Sequence, residues 1–217
     1  MDMGFLLCLA LIALGVVGPM AMEGCVMELS ELRCAAIEGV YNTGAYITTV
    51  SGKYVYLFNH ESDDYSLDID DIAHSLCQLN RWNGHSPQPI SIAWHSLLVA
   101  AFAEIAAESQ WYQLWCLLHD ASEAYLGDVV SPLKEAMPQY RAIENYMQHR
   151  IAVRFGVPVY NVKRYDHMAL SVEDKLLRGG GLGLSYPPLF NLFSHWCGGG
   201  QCTPQQFRSR FDALIED

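Results

Sequence analysis

The segment CLLHDASEAYLGDVVSP, Cys116 to Pro132, sets His119 beside Asp120 at the end of an apolar run, with Glu123 and Asp128 close behind. Imidazole and carboxylate groups are costly to bury without partners, so four of them in one short stretch mark a candidate site. Read as part of a helix that opens at Ser109 and ends at Gly127, the segment turns His119 and Asp120 about 100° apart. Glu123, four residues past His119 and three past Asp120, shares their side of that helix. Two adjacent ligands can grip one ion beside the helix, with Glu123 above it, and the remaining ligands have to come from neighbouring helices. His95 interrupts the apolar run IAWHSLLVAAF, and Asp174 stands among leucines in SVEDKLL, both poor homes for a lone polar group. His95, His119, Asp120 and Asp174 form a mixed nitrogen–oxygen set that suits one divalent Mn, Co, Zn or Mg ion rather than a thiolate zinc site. Asp128 follows Gly127, where its side chain can cap the next turn or serve the site.

The order His95, His119-Asp120, Asp174 on successive helices resembles the H…HD…D signature of the HD-domain metal-dependent phosphohydrolases. The flanking DIAHSL, LNRWNGH, AWHSLLVA and LLHDASEAYLGDVVSPLK resemble the nucleotide-directed group of that family, which includes bacterial 5′-deoxynucleotidases and many phage enzymes. The resemblance runs from about the hairpin described below to the C-terminus. It implies the HD-domain helical fold, with His95, His119, Asp120 and Asp174 around one divalent ion. It further implies Glu123 as the acid that orients or deprotonates the attacking water and Arg81 as a phosphate-binding arginine. The chemistry agrees with these roles. A divalent ion lowers the pKa of a water toward neutrality, a carboxylate takes the proton, and an arginine fork holds a phosphate bidentately. Lys134, in SPLK, is placed to reach more distal phosphates as a mobile point charge.

The dipeptide RW in LNRWNGH, the SPLK segment and the compact length also resemble the phage dATP triphosphohydrolases of genomes containing 2-aminoadenine. This implies dATP and water giving deoxyadenosine and tripolyphosphate, which would deplete dATP in a phage-infected cell. Trp82 would stack on the purine and Pro132 would shape the base pocket. Arg81, Lys134 and Lys175 would line up along the phosphates, with a second ion bound to the triphosphate as an option. The alternative is a 5′-deoxynucleotidase that hydrolyses dNMPs to deoxynucleoside and phosphate. A third reading, a non-catalytic nucleotide-binding module, is opposed by the intact ligand set and Glu123. The family also implies a homo-oligomer.

The elements that position these residues are mainly helical. Tyr46 to Phe58 alternates β-branched and aromatic residues around Ser51-Gly52, a hairpin pattern. Apolar residues at three- and four-residue spacing then predict helices over DIDDIAHSLCQLN, ISIAWHSLLVAAFAEIAAE, WYQLWCLLHDASEAYL, QYRAIENYMQHRIAVRF and VYNVKRYDHMALSVEDKLL. Thr203-Pro204-Gln205-Gln206 reads as a capping box opening a terminal helix. The expectation is a mainly α protein with a short N-terminal hairpin: residues 43–217 as the hydrolase domain, residues 1–42 as an apolar leader or extension.

Bulk properties narrow the partners. Lys+Arg 13 against Asp+Glu 24 gives a net charge of −11, which argues against long nucleic acid while leaving room for a small phosphorylated ligand. Seven scattered cysteines without a CxxC pair suit a reducing cytoplasm. Gly4 to Met22 is uncharged and about long enough to span a bilayer. No basic residue precedes it, and the first is Arg33, so the basic start of a signal peptide is missing. A cytoplasmic protein without a stable membrane partner is expected, with a signal or anchor as the alternative. His74 and His85 fall within the family-like stretches and are left without a role.

Overall fold

The computed structural model describes residues 44–58, 64–177 and 200–216, with side chains through Asp174 in the second segment. The apolar leader expected over 1–42, the glycine-rich segment after Leu177, and the side chain of Lys175 lie outside the described residues. Among the described residues no helix is long and apolar enough to cross a membrane.

The hairpin forms where the alternation predicts it. Strands β1 (Tyr46–Thr48) and β2 (Tyr54–Tyr56) pair antiparallel with Ile47 opposite Val55. Gly52 takes φ +82 at the turn, a conformation open to glycine at little cost. Helix α1 (Ile69–Gln78) follows, capped by the Asp68 carboxylate accepting from Asp70 N, an interaction worth about 1 kcal/mol. Asp71 in its first turn is buried, and it accepts from both the backbone N–H and the hydroxyl of Ser51. One satisfied carboxylate thereby ties hairpin to helix.

Helix α2 (Ile92–Ile105) is the centre of the molecule. Every residue from Ile92 to Ala103 is buried, as expected of a helix that is apolar all round. Helices α1, α3 (Gln110–Leu118) and α7 (Lys163–Leu177) pack on it. The short helices α4 (Glu123–Leu126) and α5 (Ser131–Ala136) lead into the long α6 (Pro138–Phe155), which ends at Gly156 in the left-handed region. Helix α8 (Pro204–Ile215) closes the fold against α1 and α3. Its capping box is complete: Gln206 N donates to Thr203 Oγ1 and Thr203 N donates to Gln206 Oε1.

One element differs from the sequence expectation. The segment from Ser109 to Leu126 is not a continuous helix: α3 ends at Leu118, and a tight turn precedes α4. Ala121 N donates to Leu118 O and Glu123 N donates to Asp120 O, each closing a four-residue turn. Gln148 of α6 fixes the break, its amide nitrogen donating to Leu118 O and its amide oxygen accepting from Ser122 N. A tertiary partner thus satisfies backbone groups that helix ends leave open. His119 and Asp120 therefore project from a clamped turn.

Candidate metal centre

The turn carries His119 and Asp120 to the side of α2 where His95 is fully buried. Nitrogens of the two histidines and an oxygen of Asp120 all lie within 4.8 Å of one another. Asp120 Oδ2 is 3.2 Å from His119 Nε2 and 3.7 Å from His95 Nε2. The rings themselves are 5.3 Å apart between centroids.

Asp174 is the fourth ligand expected from the sequence. Neither Asp174 nor Asp166 is one of these three residues; the α7 carboxylate that faces His95 is Asp166, with Oδ1 3.2 Å from Nε2. Both acids lie on α7, and helical phase separates them. Eight residues rotate Asp174 about 80° from Asp166, whereas seven bring Glu173 back to within about 20° of it. Glu173 is accordingly the buried member of the Glu173-Asp174 pair, and Asp174 is half-buried beside it.

Hydrogen bonds on the far side of each imidazole fix its orientation. His119 Nδ1 donates to Cys116 O at 2.8 Å, since a carbonyl can only accept. His95 Nδ1 donates to Glu173 Oε1 at 2.6 Å. With Nδ1 committed as donor in both rings, each Nε2 faces carboxylate oxygens, and both Nε2 atoms are buried without a hydrogen-bond partner. Nitrogen lone pairs and carboxylates repel unless a proton or a cation lies between them. Ligands sharing an ion at bond lengths of about 2.0–2.2 Å stand roughly 3.0–3.5 Å apart, close to the separations seen here. The donor set and its outer hydrogen bonds fit a divalent ion.

The electrostatics point the same way. Burial opposes a charged imidazole at His119, but Asp120 outweighs it and, with Asp166 and the Cys116 carbonyl, raises the group to about 9. Burial alone would raise the Asp120 carboxyl; His119, His95 and Arg81 reverse this and hold it well below the usual carboxylate range. Asp166 is likewise held low, its desolvation offset by its approach to His95 and by the nearby histidine charges. This is a pocket that stabilises positive charge between two imidazoles and two carboxylates.

Around this centre stand the other residues singled out by sequence. Arg81 sits in the turn Arg81–Gly84, where Trp82 and Asn83 take φ 59 and 49, a region costly for non-glycine residues and tolerated where surrounding structure imposes it. Bonds from Arg81 N to Ile90 O and from Ile92 N to Leu79 O pin the turn to the start of α2. Arg81 Nη1 reaches to 3.5 Å from Asp120 Oδ2. Trp82 is half-buried, its indole N–H donating to Glu173 Oε2 at 3.1 Å. Glu123 is 3% exposed, and its Oε2 lacks a hydrogen-bond partner. Burial and then the Asp120 charge push its carboxyl up to about 8 in spite of Lys134. Asp128 is half-buried and raised by its burial, with Arg81 acting against the shift. Pro132 is exposed at the start of α5.

Lys134, expected along a row of phosphates, is paired with two acids. Its ammonium donates to Glu123 Oε1 at 2.9 Å and to Glu144 Oε1 at 2.5 Å, and these two carboxylates keep it firmly protonated against the cost of burial. Of the unassigned histidines, His74 is half-buried on α1 and His85 is exposed after the Arg81–Gly84 turn. Glu173 and Asp166 escaped the sequence reading. The seven-residue spacing that puts them on one helix face was the available signal.

Fold and site together define a mainly helical protein with a candidate divalent-metal centre of the His/His/Asp type. No family model matches the chain. The uncharacterized protein YfdR of Escherichia coli (strain K12) is 34% identical to it over 132 residues, which cover 59% of this chain and 70% of YfdR. The uncharacterized protein RCAP_rcc00048 of Rhodobacter capsulatus is 36% identical over 120 residues, covering 52% of this chain and 60% of that protein. The chain belongs to the same family as YfdR.

Proposed function

We propose that the chain is a divalent-metal-dependent phosphohydrolase of deoxynucleotides, of the HD superfamily, in which His95, His119, Asp120 and Asp166 hold the ion. The observation that carries this reading is the pair of buried Nε2 atoms facing Asp120 and Asp166, with Arg81 and Glu123 beside them. Asp166 replaces Asp174 in the ligand set because it meets His95.

A divalent ion bound there supplies Lewis acidity, lowering the pKa of a water toward neutrality. The chain's own residues do the rest. Glu123, a buried carboxylate whose ordinary value is shifted toward neutral pH, takes the proton of the attacking water. Arg81 offers the outer edge of its guanidinium, next to Asp120, to the phosphate oxygens and offsets charge that builds on them during displacement. Attack at the α-phosphate transfers it to water and releases the deoxynucleoside, whose 5′ oxygen takes up the proton that Glu123 removed from the water.

Two substrates suit that reaction. The family resemblance puts dATP first, with Trp82 stacking on the base and tripolyphosphate as the second product. That reading requires Lys134 to leave Glu123 and Glu144 for the outer phosphates. The double pairing of Lys134 favours the second reading, a 5′-deoxynucleotidase, because a monophosphate is satisfied by Arg81 and the ion. Chromatography of products from dATP and dAMP with Mn, Co, Zn or Mg separates the two. Deoxyadenosine with tripolyphosphate supports the first reading and orthophosphate from dAMP the second. No hydrolysis of either with any of the four ions overturns the proposal.

A further inference from the structure

Glu173 is a fully buried carboxylate on α7, a costly placement unless its oxygens are well partnered. Three donors from two other parts of the chain meet it. Oε1 accepts from His95 Nδ1 at 2.6 Å; Oε2 accepts from Arg81 Nε at 3.1 Å and from Trp82 Nε1 at 3.1 Å. One oxygen therefore serves the metal half of the site, and the other serves the half assigned above to phosphate and base.

We infer that Glu173 is a positioning residue that couples these halves: it fixes His95 with Nε2 toward the ion and, through its second oxygen, sets the guanidinium of Arg81 and the indole of Trp82 in register with that ion. The inference rests on the functional reading above for the substrate half only. Each bond has a distinct consequence. The Nδ1–H bond commits the His95 proton away from the centre and strengthens Nε2 as a donor of its lone pair. The Nε bond uses the inner nitrogen of Arg81, turning its outer edge toward Asp120, where Nη1 already lies. The indole bond holds Trp82 in the left-handed backbone that the turn imposes on it. Such strain persists where several partners over-determine it.

The carboxylate is required because both oxygens must accept. A glutamine has the same shape but one acceptor end, so its NH2 group would confront either His95 Nδ1–H or the two donors of Arg81 and Trp82. In the full chain, E173Q is expected to lower Mn2+ affinity about 10- to 100-fold, the usual effect of losing a partner behind a ligand. It should also shift the Trp82 indole 1H–15N resonance, assigned by W82F, with secondary structure by circular dichroism unchanged. A merely structural Glu173 would lower the melting temperature while leaving Mn2+ affinity and the indole resonance in place, and that result overturns the inference.

Should E173Q not fold, 15N NMR of histidine in the wild-type protein loaded with Zn2+ tests the same role. His95 protonated at Nδ1 with Nε2 ligated supports the proposal; the opposite tautomer, or no Zn2+ and Mn2+ binding at all, overturns it. Neither readout uses a nucleotide. A protein that passes both yet hydrolyses no nucleotide contradicts the functional reading while the role of Glu173 behind His95 stands.

Discussion

Lys134 donates to Glu123 at 2.9 Å, and this bond ties the residue expected to hold outer phosphates to the residue expected to take the proton. The ammonium acts against the burial and the Asp120 charge that raise Glu123. Removing it by K134A should therefore lift the Glu123 carboxyl further, so that the ascending acid limb of the pH–kcat/KM profile moves to higher pH and activity recovers in alkaline buffer. A pH-independent rise in KM, confined to triphosphate substrates, would assign Lys134 to the outer phosphates instead.

Asp166 and Asp174 give a direct contrast on one helix. D166N replaces the carboxylate that faces His95 Nε2 at 3.2 Å and should weaken Mn2+ binding by about a hundredfold or more. D174N alters a half-buried group outside the cluster and should leave Mn2+ affinity within about threefold of wild type. Isothermal titration calorimetry of the two variants side by side checks this; the reverse order would restore Asp174 as the ligand.

The contrast also shows what the sequence made legible. The hairpin was readable because β-branched alternation and Ser51-Gly52 act locally, and α8 because its cap closes within four residues. His95, His119 and Asp120 stood out as polar groups in apolar runs, and the structure brings these three together. The choice between Asp166, Glu173 and Asp174 depended on which face of α7 meets α2, which neighbours on a helix do not reveal. The break after Leu118 was hidden for a related reason. Its apolar spacing is that of a helix, while the cause of the break, Gln148, lies in another element.

His119 makes metal binding and stability depend on pH in opposite ways. Its folded value of about 9 lies above the ordinary value of 6.5. In chelator, the stability contributed by the protonated ring is fully present below about pH 6.5 and is lost as pH rises through about 9. Glu123, raised to about 8, adds to the same decline. Metal binding must displace the His119 proton, so apparent affinity should rise about tenfold per pH unit below that value. Thermal unfolding at pH 6, 7.5 and 9 should show a melting temperature that falls with pH in chelator and a Zn2+-induced increment that grows with pH. An increment independent of pH would place the ion away from His119.

Glu123 feels the charge of Asp120 without being one of the His95–His119–Asp120 cluster. E123A should lower kcat by roughly two to four decades while Mn2+ binding persists within a few-fold. Equal losses of metal and turnover would make Glu123 a ligand, and normal turnover would remove it from the mechanism.

The reaction proposed for the His95–His119–Asp120–Asp166 centre is hydrolysis of deoxynucleotides at the α-phosphate. Its most direct measurement is ion-exchange chromatography of products from the purified full chain, incubated with dATP or dAMP in 18O-labelled water, with Mn2+ or after chelation. The expected products are deoxyadenosine and one 18O atom in the released phosphate or in the α-phosphoryl end of tripolyphosphate, with no product in chelator. Label in the deoxyadenosine, release of dADP or dAMP from dATP, or undiminished turnover in excess chelator would contradict it.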